Sequence, residues 1–213
     1  MIGFYNYTVI LTYISLLISS VGIGLAAAGR PFEALCCLLA SGVCDMFDGK
    51  IARTRKKSTE EEKRFGIQID SLCDVICFGV LPASVGISLA SQAPALDRGV
   101  VWALSALYIL CALIRLAYFN VTEETRQATE SGRRTYFIGV PVTTAAVVFP
   151  LVYALSLLLP APIAPWLYPA FILITAVAFI TPVRVRKPHS VGLVILGLIG
   201  LLEAALMFYL LLR

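Results

Sequence analysis

Asp45-Met-Phe-Asp48-Gly49-Lys-Ile-Ala52-Arg53 and, after a charged run, Gly66-Ile-Gln-Ile-Asp70-Ser-Leu-Cys-Asp74 are the two stretches that decide how this chain folds. Each stretch forms one end of an apolar segment that is long enough to cross a bilayer. A carboxylate at bilayer depth costs several kcal/mol unless a cation satisfies it. Four aspartates so close together in the sequence therefore need a chemical explanation.

Helical geometry brings the four aspartates together. At about 100° per residue, Asp45 and Asp48 lie about 60° apart around one helix, and Asp70 and Asp74 lie about 40° apart around the next. Two helices that run in opposite directions from a common loop place Asp48 beside Asp70, and Asp45 beside Asp74 one turn deeper. Such a cluster stays ionised only if divalent cations offset the repulsion between its charges. Ligands that are all oxygen favour Mg²⁺ or Mn²⁺.

The spacing resembles the motif of the CDP-alcohol phosphotransferase family, which reads Asp-x2-Asp-Gly-x2-Ala-Arg, then a gap, then Gly-x3-Asp-x3-Asp. All eight motif residues are present, namely Asp45, Asp48, Gly49, Ala52, Arg53, Gly66, Asp70 and Asp74. The gap between Arg53 and Gly66 holds twelve residues, which is more than the family usually has. The surplus falls in a charged loop, where insertions are generally tolerated.

The resemblance implies a reaction and a set of roles. It implies transfer of a phosphatidyl or related group from a CDP-linked lipid to an alcohol, with release of CMP. It implies that Asp45, Asp48, Asp70 and Asp74 hold two divalent ions, Mg²⁺ or Mn²⁺, and that Asp74 also deprotonates the acceptor hydroxyl. It further implies that the CDP moiety is bound by Asp48, Gly49, Ala52, Arg53 and Gly66. A homodimer is expected because relatives form one.

Three later stretches resemble the phosphatidylserine synthases of bacteria and archaea within that family. They are Asp70 to Gly79 followed by Pro82, Arg115-Leu-Ala-Tyr-Phe-Asn120, and Tyr136-Phe-Ile-Gly139-Val-Pro141. This resemblance implies CDP-diacylglycerol as donor and L-serine as acceptor. A serine carboxylate needs a cation, for which Arg115 is the best-placed residue, with Asn120, Arg133 and Arg134 as helpers. An arginine near the end of a span can instead simply extend to the aqueous interface.

Other functions stay open from the sequence. The acceptor could be glycerol 3-phosphate or inositol phosphate, whose extra phosphate the Arg133-Arg134 pair could bind, and the donor could be an archaeal CDP-ether lipid. A divalent cation transporter would distribute acidic residues along a path through the membrane. Here the motif aspartates cluster at one end and, apart from Glu33 at the very start of the second span, only Glu203 lies elsewhere in a span, so the transporter ranks last.

The composition predicts the fold class. Hydrophobic residues make up 59% of the 213 residues and charged residues 14%, and the mean hydropathy is +0.88. These values predict an all-α, polytopic transmembrane helical bundle of six to seven spans. We expect one integral membrane domain over 1–213, made of a motif hairpin (32–90), acceptor-side helices (99–159) and C-terminal spans (166–212). No removable signal peptide and no nucleic-acid partner are expected.

Apolar segments and loops give the individual spans. Spans are expected at 8–28, 32–53, 66–90, 99–121, 137–159 and 166–181, and a further hydrophobic stretch at 191–212 is left open. Polar loops are expected at 54–65 and 122–136, and a kink is expected at Pro82. If the motif hairpin is cytoplasmic, twelve Lys and Arg residues lie on that side and three lie on the other. The positive-inside rule therefore predicts a multi-pass cell-membrane protein whose aspartate cluster faces the cytoplasm.

The remaining candidates are weaker. The six cysteines all lie in apolar segments, and we interpret them as small buried residues and not as disulfides or metal ligands. His189, the only histidine, sits in a basic loop and is expected to be solvated. The sequence assigns no role to Tyr118 or Glu203.

Overall fold

A computed structural model of the chain describes residues 3–4, 7–52, 59–129, 136–186 and 190–212. Seven helices run through this part of the chain, and the predicted all-α class is confirmed. They are α1 Ile10–Ala27, α2 Pro31–Ala52, α3 Glu60–Gln92, α4 Arg98–Thr129, α5 Ala145–Ser156, α6 Ala164–Ile180 and α7 Ser190–Leu212. Short 3₁₀ turns at Tyr7–Val9 and Val142–Thr144 lead into α1 and α5.

Several of these helices are apolar enough for a bilayer. Among the described residues, three are also long enough to cross one, at Ile10–Ala27, Glu60–Gln92 and Arg98–Arg126. Shorter apolar helices cover Val142–Ser156, Ala164–Ile180 and Gly197–Leu210. Large apolar side chains such as Leu17, Trp102 and Leu201 are exposed on the outer surface, as expected where lipid replaces water as the solvent. The chain is therefore a helical membrane protein.

The loop expected at 54–65 is wrong in its second half, because α3 already begins at Glu60. Thr59 and Glu62 form a capping box: the Thr59 hydroxyl accepts a hydrogen bond from the Glu62 amide at 3.2 Å, and the Glu62 carboxylate accepts one from the Thr59 amide at 3.0 Å. Three glutamates in the first turn also offset the positive end of the helix dipole. Residues 54–58 of the expected loop lie outside the described residues.

The loop expected at 122–136 is likewise wrong at its start, because α4 continues to Thr129. Within this extension Arg126 forms an ion pair with Glu123 one turn earlier, at 2.7 Å. Thr122 and Thr125 also donate their hydroxyl hydrogens to carbonyl groups of the same helix. A polar sequence thus continues the helix beyond its apolar part.

The fifth span was expected to start at 137, but the chain there is extended. Tyr136–Ile138 forms strand β1, which pairs antiparallel with β2, Arg184–Arg186, in the register Phe137 opposite Val185. Gly139 follows with φ of +81°, a left-handed conformation that favours glycine. Its amide donates to the Val183 carbonyl at 2.8 Å. The two-stranded sheet therefore joins the segments that follow α4 and α6.

Helix α3 changes geometry in its middle. It is α-helical over Glu60–Asp74, π-helical over Val75–Val80, and α-helical again over Leu81–Gln92. The irregularity thus precedes Pro82, where the sequence predicted a kink. A π-helical turn holds an extra residue and is common at functional sites.

Close approach of small residues sets the packing of the helices. A Cβ atom at Gly22 of α1 would lie 2.8 Å from Cys37 Cβ of α2, and one at Gly42 of α2 would lie 2.6 Å from Ala146 Cβ of α5. Hydroxyl groups reinforce the first of these interfaces, because Ser19 and Ser41 share a hydrogen bond of 2.7 Å. Small residues and interhelical hydrogen bonds are the usual means by which membrane helices associate.

Candidate active site

Three aspartates converge between α2 and α3. The carboxylates of Asp45, Asp70 and Asp74 each offer one oxygen, and these three oxygens lie within 4.8 Å of one another. All three residues are half-buried. Asp48 lies on the same side of α2, and its side chain is within hydrogen-bonding reach of Asp70. Two antiparallel helices therefore bring together all four acidic residues of the motif.

The chemistry of the donor atoms fits a hard divalent cation. The cluster consists of carboxylates, and within the described residues no histidine or cysteine belongs to it. The thiol of Cys77 instead lies 3.5 Å from the Ser15 hydroxyl, in the packed layer below. Carboxylate oxygens with no soft ligand are the donors that Mg²⁺ and Mn²⁺ prefer. Carboxylates this close together can all be ionised only if a cation offsets their mutual repulsion.

Helix α4 runs antiparallel to α3, and its hydrogen bonds to α3 fix the level of Arg115 along the bundle. Tyr108 contacts α3 at Phe78, and Asn120 contacts it at Ser71. Arg115 lies between these two contacts along α4, so it is at the level of Asp74. Its side chain is buried, with 8% exposed, and its guanidinium lies 5.0 Å from the centre of the Phe119 ring. A buried guanidinium at this depth is suited to binding a carboxylate.

Asn120, expected to help at the acceptor, has a protein partner. Its side-chain amide donates to the Ser71 hydroxyl at 2.8 Å. Ser71 follows Asp70 directly in the sequence. The bond therefore ties α4 to the part of α3 that carries the aspartates.

The residues expected around CDP are distributed along the outer ends of α2 and α3. Gly49 and Ala52 lie in the last turn of α2. Gly66 lies one turn before Asp70 on α3, and a Cβ atom there would meet nothing within 4 Å. The open space beside Gly66 leaves room for a ligand. Arg53, Arg133, Arg134 and His189 lie outside the described residues, and Tyr118 is exposed on α4.

The sequence reasoning missed two sets of buried polar groups. The first is a layer of hydroxyl groups formed by Ser15 and Ser19 of α1 and Ser41 of α2. The spacing of four between Ser15 and Ser19 was a signal that both lie on one face of α1. The second is Tyr108 and Tyr168, which donate hydrogen bonds to carbonyl groups of α3. Their spacing in the sequence gave no signal, because their acceptors are backbone atoms.

The fold and the cluster define a helical membrane protein with an acidic site between two of its helices. The chain belongs to the CDP-alcohol phosphatidyltransferase family, whose sequence profile matches residues 5–211. Members of that family depend on divalent metal ions, and the aspartate cluster described above is present in this chain. The resemblance inferred from the motif is thereby confirmed.

Similar proteins carry closely related names. A Saccharomyces cerevisiae CDP-diacylglycerol–serine O-phosphatidyltransferase is 38% identical over 53% of this chain and 38% of its own length. The Mycobacterium leprae protein of the same name is 30% identical over 85% of this chain and 58% of its own. An archaetidylserine synthase of Methanothermobacter thermautotrophicus is 35% identical over 63% of this chain and 49% of its own. This chain therefore spans less than two thirds of the length of each of these relatives.

Proposed function

We propose that this protein transfers the phosphatidyl group of CDP-diacylglycerol to the hydroxyl of L-serine, giving phosphatidylserine and CMP. The convergence of Asp45, Asp70 and Asp74 in a member of this family is the observation that carries the proposal. The names of the similar proteins support serine as the acceptor. In this proposal the site lies at the membrane boundary, where a lipid-linked diphosphate and a water-soluble alcohol can meet.

In this proposal the four aspartates, Asp45, Asp48, Asp70 and Asp74, hold two ions of Mg²⁺ or Mn²⁺. When bound, such ions neutralise the diphosphate and stabilise negative charge on the attacking and leaving oxygens. Gly49, Ala52, Arg53 and Gly66 surround the CDP moiety. The lack of side chains at Gly49 and Gly66 allows the ligand to approach the helix backbones closely.

Asp74 is proposed as the general base. It accepts the proton of the serine hydroxyl as the oxygen forms a bond to the phosphorus that carries diacylglycerol. The bond from that phosphorus to the CMP oxygen breaks, and CMP leaves with the electron pair. Arg115, buried at the level of Asp74, binds the serine carboxylate and orients the hydroxyl toward the phosphorus. Arg133 and Arg134 assist, and Asn120 holds α4 against α3 through Ser71.

The same residues are compatible with a second donor. The similarity to an archaetidylserine synthase supports an archaeal CDP-ether lipid as the alternative to CDP-diacylglycerol. Both donors present the same diphosphate to the aspartates and differ only in the lipid. We further propose that the protein crosses the cell membrane several times, that the site faces the cytoplasm, and that the protein is a homodimer.

The test is a CMP-release assay on the purified protein in mixed micelles. CDP-diacylglycerol or the CDP-ether lipid is supplied with Mn²⁺ or Mg²⁺, and serine, glycerol 3-phosphate and inositol phosphate are compared as acceptors. We expect lipid product with serine alone, and its loss on chelation. Product with a phosphorylated acceptor would move the proposal to that alcohol, and no CMP release with any acceptor would reject a transferase.

Asp74→Asn tests the proposed base and Asp97→Asn is its matched control. Asp97 lies at the opposite end of the bundle, where its carboxylate caps α4 by accepting from the Val100 amide at 2.9 Å, and asparagine preserves this acceptor. We expect Asp74→Asn to lower kcat by about 100-fold or more and Asp97→Asn to leave it within twofold. Equal effects of the two substitutions would contradict the role of Asp74.

A further inference from the structure

The π-helical turn of α3 begins at the residue after Asp74. In this turn the Leu81 amide bonds to the Ile76 carbonyl, five residues earlier. The extra residue rotates the helix before the turn by about 100° relative to the helix after it. The turn therefore fixes the direction in which Asp70 and Asp74 face α2, while the later part of α3 packs in the core.

One carbonyl of this turn cannot receive an α-helical hydrogen bond. Pro82 has no N–H group, so the Phe78 carbonyl, four residues earlier, receives no α-helical hydrogen bond from it. The Tyr108 hydroxyl donates to this oxygen at 2.6 Å. Tyr108 is fully buried, and its ring packs edge-on against Phe149 with centroids 5.5 Å apart. A side chain of α4 thus supplies a hydrogen bond to the backbone of the turn in place of the amide that Pro82 lacks.

A second tyrosine makes a similar bond with a different consequence. Tyr168 of α6 is also buried, packs against Phe149, and donates to the Pro82 carbonyl at 3.1 Å. Pro82 begins the regular α-helical part of α3, so its carbonyl faces the amide of Gly86 one turn later. If the Tyr168 hydroxyl is removed, the Pro82 carbonyl still has a backbone donor in its own helix. If the Tyr108 hydroxyl is removed, the Phe78 carbonyl loses the donor that takes the place of the missing Pro82 amide.

We propose that Tyr108 is a positioning residue for the aspartate cluster, because its hydroxyl holds the π-helical turn that sets the orientation of Asp70 and Asp74. Tyr108 acts through the backbone of α3 and touches no reacting atom. The inference rests on the proposed function for its effect on turnover. Its effect on cation binding by the cluster depends only on the geometry of the aspartates.

The experiment compares Tyr108→Phe with Tyr168→Phe, which removes the same atom from the same buried aromatic cluster. Equilibrium binding of Mn²⁺ to the purified protein in detergent is measured first, without lipid or serine. We expect Tyr108→Phe to weaken Mn²⁺ binding at least fivefold, and Tyr168→Phe to change it less than twofold. In the CMP-release assay, Tyr108→Phe lowers kcat by about tenfold or more with the KM for CDP-diacylglycerol within twofold.

Pro82→Ala provides a rescue, because alanine restores an amide donor to α3. In the Pro82→Ala background, Tyr108→Phe should lose most of its effect on Mn²⁺ binding and kcat. This double variant also gives a result if Tyr108→Phe alone fails to fold. Wild-type Mn²⁺ binding by Tyr108→Phe, equal losses in both tyrosine variants, or no rescue by Pro82→Ala would each overturn the inference. A changed Mn²⁺ affinity in a protein that releases no CMP would reject the proposed function and leave the inference intact.

Discussion

The hydrogen bond from Asn120 to Ser71 allows a test of whether Asn120 holds α4 against α3 or binds the acceptor. Both side chains lie next to the proposed site, and their 2.8 Å bond joins α4 to α3. A single interhelical hydrogen bond in a membrane protein contributes about 0.6 kcal/mol on average. We expect Asn120→Ala and Ser71→Ala to lower the free energy of unfolding by similar amounts, and the double variant to cost little more than either.

Steady-state kinetics on the same three variants give the second readout. If Asn120 only holds the helices together, both single variants change kcat alike and leave the serine KM within twofold. A rise in serine KM in Asn120→Ala that is absent from Ser71→Ala would instead assign Asn120 to the acceptor. Additive losses of stability would show that the two residues act independently.

Glu203 is a buried acid with no hydrogen-bond partner within the described part of the chain. It lies on α7, only 4% exposed, and neither carboxylate oxygen is bonded. Gly200, one turn earlier on α7, faces the apolar side chain of Leu39 on α2, and Glu203 is distant in sequence from the motif. An unpaired polar group in such a place costs stability.

We therefore expect Glu203→Leu to stabilise the protein and to leave CMP release unchanged. Each kcal/mol gained raises the thermal unfolding midpoint by about 2–4 °C for a chain of this size, measured in detergent by the fluorescence of the two tryptophans. Glu203→Asp keeps the carboxylate and serves as the matched control, for which we expect no rise in the unfolding midpoint. A lower midpoint for Glu203→Leu would show that the carboxylate makes a favourable contact in the purified protein.

The packing of α1 against its neighbours depends on which glycine faces them. A Cβ atom at Gly22 would lie 2.8 Å from Cys37 Cβ and 3.0 Å from a Leu81 methyl, whereas one at Gly24 would meet nothing within 4 Å. We expect Gly22→Ala to separate α1 from α2 and α3 and to cost about 1–3 kcal/mol. Gly24→Ala, two residues further along the same helix, should be neutral or should stabilise by up to about 1 kcal/mol.

Thermal unfolding of both glycine variants in the same detergent checks this expectation. The comparison holds the helix and the chemical change constant, so only the neighbours differ. Equal midpoints for the two variants would mean that α1 can shift to accept a methyl group at Gly22 at no cost.

Local sequence signals predicted the elements only in part. The spacing of Asp45, Asp48, Asp70 and Asp74 placed them between two helices, since helical periodicity depends on sequence alone. The start of α3 at Glu60 was missed because its charged residues looked like a loop, although Thr59 and Glu62 form a recognisable capping box. Strand β1 was missed because an apolar Tyr136–Ile138 becomes a strand only through pairing with β2, which is distant in the sequence.

The π-helical turn shows what could not be predicted from α3 by itself. Pro82 indicated that the helix would be irregular near it. The irregular turn lies at Val75–Val80, before the proline, and receives a hydrogen bond from Tyr108 on another helix. The direction of the aspartates therefore depends on contacts between helices as well as on their spacing. Sequence spacing predicted that the motif aspartates converge, and tertiary packing determined how they face one another.

The distribution of charge over the whole chain predicts its orientation. The ranges 53–65, 122–136 and 183–189 hold twelve of the seventeen Lys and Arg residues, while Arg30, Arg98 and Arg213 belong to the segments expected on the other side. Short loops rich in Lys and Arg stay in the cytoplasm. The ends of α2 and α3 that join at the motif hairpin, and the aspartates near them, are thus expected on the cytoplasmic side.

Reporter fusions in a bacterium test this orientation. Alkaline phosphatase, which is active only outside the cytoplasm, is fused after residue 57 in the motif hairpin or after Pro94 between α3 and α4. We expect no phosphatase activity from the first fusion and high activity from the second, with the reverse pattern for a green fluorescent protein that folds only in the cytoplasm. Replacing Arg55, Lys56 and Lys57 by glutamine should weaken the difference, because it removes part of the charge that fixes the hairpin. Phosphatase activity at residue 57 would place the aspartates on the outer side, away from the soluble pool of CDP-lipid precursors, and would contradict the proposed access of serine from the cytoplasm.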